Sequence, residues 1–134
     1  MALVSYEIKH RQDLADGATF GDAGAYEQID GIAHYAVDPD HERNQHIVDL
    51  EHCPRDAQGL VHFSGDLTLL VPKDPEKAGR KLFAELPNRG RKLIPRYVNR
   101  STAEPGTTAA IDPGDGFMFR QLSSDARHGN PGCG

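Results

Sequence analysis

The sequence predicts a mostly β fold with little helix, its sheet antiparallel or mixed, and three observations lead there. First, 14 Gly and 9 Pro in 134 residues are too many breakers for a helix bundle. Second, the clearest apolar runs alternate with a period of two. Third, too little helical pattern lies between those runs to build the crossovers of a dozen or more residues that parallel strands need. Five or six strands are expected, the early ones antiparallel.

Taken in order, Leu3 to His10 places Val4, Tyr6 and Ile8 on one face and Ser5, Glu7 and Lys9 on the other, a strand signature. The stretch from Asp16 to Gly24 is too rich in Gly and Asp to be regular. Tyr26 to Val37 is a second strand, ended by Asp38-Pro39-Asp40, because Pro cannot continue a central ladder. Ile47-Val48-Asp49-Leu50 is a short strand candidate. After the turn Asp56-Ala57-Gln58-Gly59, Leu60 to Val71 reads as a longer strand, bent at Ser64-Gly65 and closed by Pro72. Lys81 to Leu86 is a compact apolar run of a length that suits a buried strand. It stops at Pro87-Asn88-Arg89-Gly90-Arg91. Lys92 to Asn99 carries Leu93, Ile94 and Val98 at helical spacing, kept short by Pro95. Residues 101 to 116 read as loop, Phe117-Met118-Phe119 as a last apolar patch, and 121–134 as a disordered tail, with Leu122 its one large hydrophobe.

The length is that of one ordinary domain. Apolar residues make up 37% and charged residues 26%, below a usual apolar share of about 45–50% that also counts Gly. The core is therefore modest, or part of it is supplied by something outside this chain. Cys53 and Cys133 make no disulfide framework. Residues 1–12 have no apolar leader core, and no apolar run approaches the roughly 20 residues of a membrane span. A soluble, cytoplasmic protein with reduced thiols and no membrane partner is expected.

Charge is unevenly spread. Lys73 to Arg100 holds nine basic residues against three acidic ones, so it carries +6 and the remainder −11 of the net −5. Such asymmetry marks an anion site or simply pairs one region of a fold with another. A nucleic-acid surface would need Phe83 and Tyr97 as stacking groups beside those cations. The overall acidity and the burial expected of Phe83 argue against it, so no nucleic-acid partner is expected.

Catalytic motifs are largely missing. No Gly-x-Ser-x-Gly occurs; Phe63-Ser64-Gly65 lacks the first glycine and lies within a strand pattern. No P-loop, dinucleotide fingerprint, Cys-x-x-Cys or His-Glu-x-x-His is present, and no catalytic residue is assigned. His34, His41, His46 and His52 fall among Asp38, Asp40, Asp49, Glu51 and Cys53, but in no recognised ligand spacing, so no metal is expected. The sharpest feature is Asn88-Arg89-Gly90-Arg91. A strand that ends in a basic, Gly-containing turn can aim backbone N–H and guanidinium groups at an anion or a carbonyl oxygen. Equally, Gly90 can serve an unusual backbone angle in a tight turn while the arginines pair with acidic neighbours.

Several segments together carry a resemblance. They run in order from Phe20-Gly21-x-x-Gly24-x-Tyr26-Glu27 through Gly31, Ala36-Val37-Asp38-Pro39 and Ile47-Val48-Asp49-Leu50. Asp56-x-x-Gly59-Leu60-Val61, Asp66-x-x-Leu69-Leu70-x-Pro72, Pro87 to Lys92 and Gly114-Asp115-Gly116-Phe117 follow. This series resembles the bacterial "alpha/beta hydrolase domain-containing" family of large proteins, over about Leu3 to Arg120. The resemblance implies an esterase-like hydrolase ancestry, no cofactor, and a nucleophile beyond the matched portion. The chain would then be an incomplete, N-terminal part of an α/β-hydrolase fold: 1–120 a β-rich portion, 121–134 the tail. By position, Asn88, Arg89 and Gly90, with Arg91, would lie where such hydrolases build part of their oxyanion site. After Phe119-Arg120 the family's apolar strand does not follow. From Gln121 on, the chain is therefore expected to be the truncated or out-of-frame end of a longer gene. Its partner would be the missing hydrolase core, or a second copy through exposed sheet. A free-standing β-rich module that binds an anionic ligand through the turn at Asn88 to Lys92 is the alternative.

Overall fold

The computed structural model describes residues 2–79, 81–87, 92–102 and 111–121. The architecture is mostly β with little helix, as expected. Three strands, β1 (Ala2–Asp13), β2 (Tyr26–Val37) and β3 (Val61–Pro72), form one antiparallel sheet in the order β1-β2-β3. β2 is thus central, and β1 and β3 are the edges. The pairing of β2 with β3 shows the antiparallel register directly. Lys73 N–H donates to Ala25 O, Thr68 Oγ1 to Asp30 Oδ1, and the Tyr35 and Phe63 rings stack with centroids 5.0 Å apart. One number rises as the other falls.

Two expected strands are not strands among the described residues. Ile47 to Leu50 forms turns, in which Ile47 N–H donates to Asn44 O and His52 N–H to Asp49 O, and Asp49 takes a left-handed φ of 61°. The reason is local: of its three apolar side chains only Leu50 reaches the core, while Val48 is 84% exposed. Lys81 to Leu86 has no regular structure and is not buried; Leu82 is 91% and Leu86 97% exposed. β3 is continuous through Ser64-Gly65. The helical expectation holds. α1 (Ile94–Asn99) carries Pro95 in its first turn, where the missing N–H costs nothing. Phe117-Met118-Phe119 leads into a single turn, α2 (Met118–Gln121). The expected tail beyond residue 121 lies outside the described residues.

The chain forms two compact units, residues 1–11 with 29–69, and residues 12–28 with 70–134. In the first unit the core is Val37, Leu50 and Val61, with Cys53 packed against it. Here the Tyr6 ring crosses the central strand at Gly31. A Cβ at Gly31 would meet the Glu7 carbonyl and lie 2.8 Å from Tyr6 ring carbons, so glycine is what admits the ring. Beyond Gly31 the Tyr6 hydroxyl lies within hydrogen-bonding distance of two carbonyls, Leu67 O (2.9 Å) and Ile29 O (3.1 Å). Burial, and then the charge of Asp30, push its pKa up.

In the second unit the core is Leu14, Phe20, Ala23, Tyr26, Met118 and Phe119, with Leu70, Ile94, Val98 and Ile111 packed around it. The turn after β1 closes through Phe20 N–H to Gly24 O (2.9 Å), which aims Phe20 inward. Phe20, Tyr26 and Phe119 form a three-ring cluster with centroids 5.0–5.7 Å apart, the offset and edge-on geometry that aromatic quadrupoles favour. Tyr26 hides its hydroxyl without loss by donating to Phe119 O (2.9 Å), and its burial raises its pKa.

Candidate functional site

Two places bear on function, one in each unit. The turn singled out from the sequence, Asn88-Arg89-Gly90-Arg91, lies outside the described residues, but its two flanks lie within them. Glu85 accepts from the backbone N–H of Leu93 (2.7 Å) and of Ile94 (3.2 Å). Its carboxylate thereby satisfies donors at the start of α1 that have no partner within the helix and ties residue 85 to residue 93. Phe83 is 51% and Tyr97 75% exposed, so the burial expected of Phe83 is not found.

Beyond α1, a second structure was legible only as loop. Asn99 is fully buried. Its Oδ1 accepts from Met118 N–H (2.8 Å), its Nδ2 donates to Pro113 O, and its own carbonyl accepts from Gly116 N–H (3.0 Å). Asp112 braces the same segment, accepting from Ser101 Oγ, Thr102 N–H and Gly114 N–H at 2.9–3.1 Å. Gly114 has a φ of 65°, and a Cβ there would strike Asn99 O and lie 2.5 Å from Ser101 N. The Gly114-Asp115-Gly116 run is glycine-rich because it lies directly on the end of α1.

The first unit contains a mainly apolar concavity of about 690 Å³ lined by Val37, Ile47, Leu50, Cys53, Pro54, Arg55, Asp56, Val61, His62 and Phe63. Its size lies within the range of small-molecule pockets. The sequence reading did not find it, because its walls come from segments far apart in the chain. Asp56 is the organising residue. Its Oδ1 accepts from Gln58 N–H and Leu60 N–H, both at 2.8 Å, and its Oδ2 lies 2.6 Å from His62 Nε2. The bond from His62, then that from Leu60, hold its carboxyl below the usual carboxylate range. Arg55 is held in a two-pronged pair with Asp40 at 2.7 and 3.2 Å. The Cys53 thiol lies 3.5 Å from Asp49 O, which accepts from it.

The pH dependence of this turn follows from Asp56. An Asp more acidic when folded than unfolded stabilises the folded state fully above the usual carboxylate range. That contribution is lost as pH falls through the depressed value. A carboxyl NMR titration is expected to show Asp56 titrating below an unstructured Asp, and His62→Ala to move it back up. An unchanged titration in that variant would rule out the His62 contact as the main cause.

Among the described residues no three His, Cys, Asp or Glu side chains are gathered so as to hold a metal ion. His34 lies 3.8 Å from Glu7, and His52 3.7 Å from its neighbour Glu51. No helix among these residues is long and apolar enough to cross a membrane. No protein-family model, curated protein or solved structure matches this chain.

Proposed function

We propose that this chain supplies the β-rich, amino-terminal portion of an esterase-like α/β-hydrolase, a portion that packs on and shapes a catalytic core but does not itself hydrolyse esters. One observation carries the reading. Lys81-Leu82-Phe83-Ala84-Glu85-Leu86 has the composition of a buried strand, yet Leu82 and Leu86 stand almost fully exposed. Apolar residues of this kind in sequence, left uncovered, mark a surface meant for a partner. In the hydrolase reading that partner is the rest of the parallel sheet, whose strands are buried on both faces. The order of the segments from Phe20 to Phe117 supports the same family, and the 134 residues hold no Gly-x-Ser-x-Gly. Within that reading, Asn88, Arg89, Gly90 and Arg91 follow the apolar run and border the oxyanion side of the site.

The DNA that follows this coding sequence, translated in all frames, is expected to encode a Gly-x-Ser-x-Gly segment. Produced together with this chain, that polypeptide should hydrolyse p-nitrophenyl esters, whereas this chain alone should not. Replacing Leu82 and Leu86 together by Asp should abolish co-purification. Steady esterase activity of the chain alone, or no such frame, overturns the proposal. Stoichiometric binding of phosphate by the chain alone, abolished by Arg89→Ala with Arg91→Ala, would favour the anion-binding module instead.

A further inference from the structure

β1 is an edge strand of 12 residues without Pro or Gly, and its side chains from Leu3 to Arg11 are exposed except for the half-buried Tyr6. Leu3, Val4 and Ile8 are each at least half exposed. Strands at sheet edges present unpaired N–H and C=O groups, and proteins usually blunt them by shortness, charged side chains, Pro or bulges; β1 carries charges, but Glu7 and Lys9 are of opposite sign and already pair with each other. β1 has neither shortness nor Pro. The other edge, β3, has Gly65 at its middle and Pro72 at its end.

We propose that two copies of this chain pair through β1, antiparallel about a twofold axis at Ile8, to make a continuous six-stranded sheet. The charges select this register. A twofold axis perpendicular to a sheet preserves its faces, so it must pass beside a residue that then faces its own copy. Centred on Glu7, the pairing sets Glu7 against Glu7; centred on Lys9, it sets Lys9 against Lys9; centred on His10, it sets Lys9 against Arg11. Directly opposed like charges are unfavourable and opposed unlike charges favourable. Centred on Ile8, the pairing sets each Glu7 against the other copy's Lys9. It opposes no like charges and overlaps residues 3 to 13, whereas centring on Tyr6 also avoids like charges but sets Glu7 against Ser5 and gains no ion pair. Within one chain Glu7 and Lys9 already share a face and pair with each other, and the Lys9 bond is the main cause of the lowered Glu7 pKa. Those two side chains therefore stand on the same side of the sheet, ready to form a four-charge cluster with their copies. On the opposite face each Ile8 would meet its copy, while Tyr6 would face the other copy's His10 and Val4 its Gln12.

The proposal is independent of the hydrolase reading, and its failure would leave that reading untouched. Sedimentation and light scattering of the full chain are expected to show a concentration-dependent dimer. Glu7→Lys and Lys9→Glu, each of which opposes like charges across the axis, should weaken it about tenfold or more. The double reversal, Glu7→Lys with Lys9→Glu, should restore it, and circular dichroism should show the β content of all three variants unchanged. In a background with Cys53 and Cys133 replaced by Ser, Ile8→Cys should cross-link to its copy, and Ser64→Cys on the other edge should not. A monomer at every concentration, a dimer indifferent to the single reversals, or open-ended polymers would each overturn the proposal.

Discussion

Replacing Phe119 by alanine is expected to cost the second unit about 3–5 kcal/mol, the usual range for emptying a fully buried aromatic site. Phe119 is 1% exposed and lies between two rings, its centroid 5.0 Å from Phe20 and 5.1 Å from Tyr26. Removing the ring leaves a void that α2, a single turn, cannot hold shut. It also weakens the seat of the Tyr26 hydroxyl on the Phe119 carbonyl. Because a small domain has only about 5–15 kcal/mol in hand, the variant should sit near its folding threshold. Urea unfolding followed by circular dichroism would measure the loss. Tyrosinate absorbance would report a second consequence, ionisation of Tyr26 at lower pH once burial no longer holds its pKa up. Phe119→Leu, which keeps most of the volume, should cost less than about 1.5 kcal/mol. A loss in Phe119→Ala no larger than this would mean that the three rings do not form the core of the unit.

Asn99→Ala is expected to destabilise the same unit by about 2–6 kcal/mol, because it strands two groups, each worth about 1–3 kcal/mol when buried without a partner. The groups are Met118 N–H and Pro113 O. Asn99→Asp separates the two contacts. It keeps an acceptor for Met118 but puts an oxygen where Nδ2 donated to a carbonyl. Burial and that carbonyl both disfavour its charged form, so the new carboxyl has a raised pKa in the folded state. The sign follows from this. The variant is most stable below the ordinary Asp range, where the protonated group can still donate, and loses stability as pH rises through the unfolded value. Thermal melts of the wild type and Asn99→Asp between acid and neutral pH would reveal it. Parallel pH profiles would show that Nδ2 does not hold Pro113.

The site was legible to the extent that its chemistry is local. A Gly-containing turn with three cations within five residues can be read from the chain, and so can the absence of a nucleophile elbow. The concavity of the first unit could not be read, because Val37, Leu50 and Val61 belong to three separate segments. Asp56 and Gly59 mark a turn in the sequence, but only folding brings His62 onto that carboxylate. Asn99 carried no signal at all. It reads as a polar residue ending a short helix, yet its side chain holds both Met118 and Pro113.

By itself the sequence determined where the three long strands run and where β2 and β3 stop, while β1 continues past His10 to Asp13. Alternation with a period of two, Gly and Asp clusters, and Pro at the ends act within a few residues of where they stand. The same holds for α1, whose apolar spacing and early Pro95 are local facts. Tertiary structure decided which apolar runs find partners. Lys81 to Leu86 and Ile47 to Leu50 have strand-like composition, but a strand is a pairing, and pairing depends on distant backbone. Among the described residues Glu85 turns to α1, and Asp49 breaks the chain with a left-handed angle. Alternation likewise marked Val4, Tyr6 and Ile8 as a face to be covered, and only the three-strand order shows that β1 is an edge and that face is largely open. Hydrophobic pattern says that a surface needs a cover; topology alone says whether one is there.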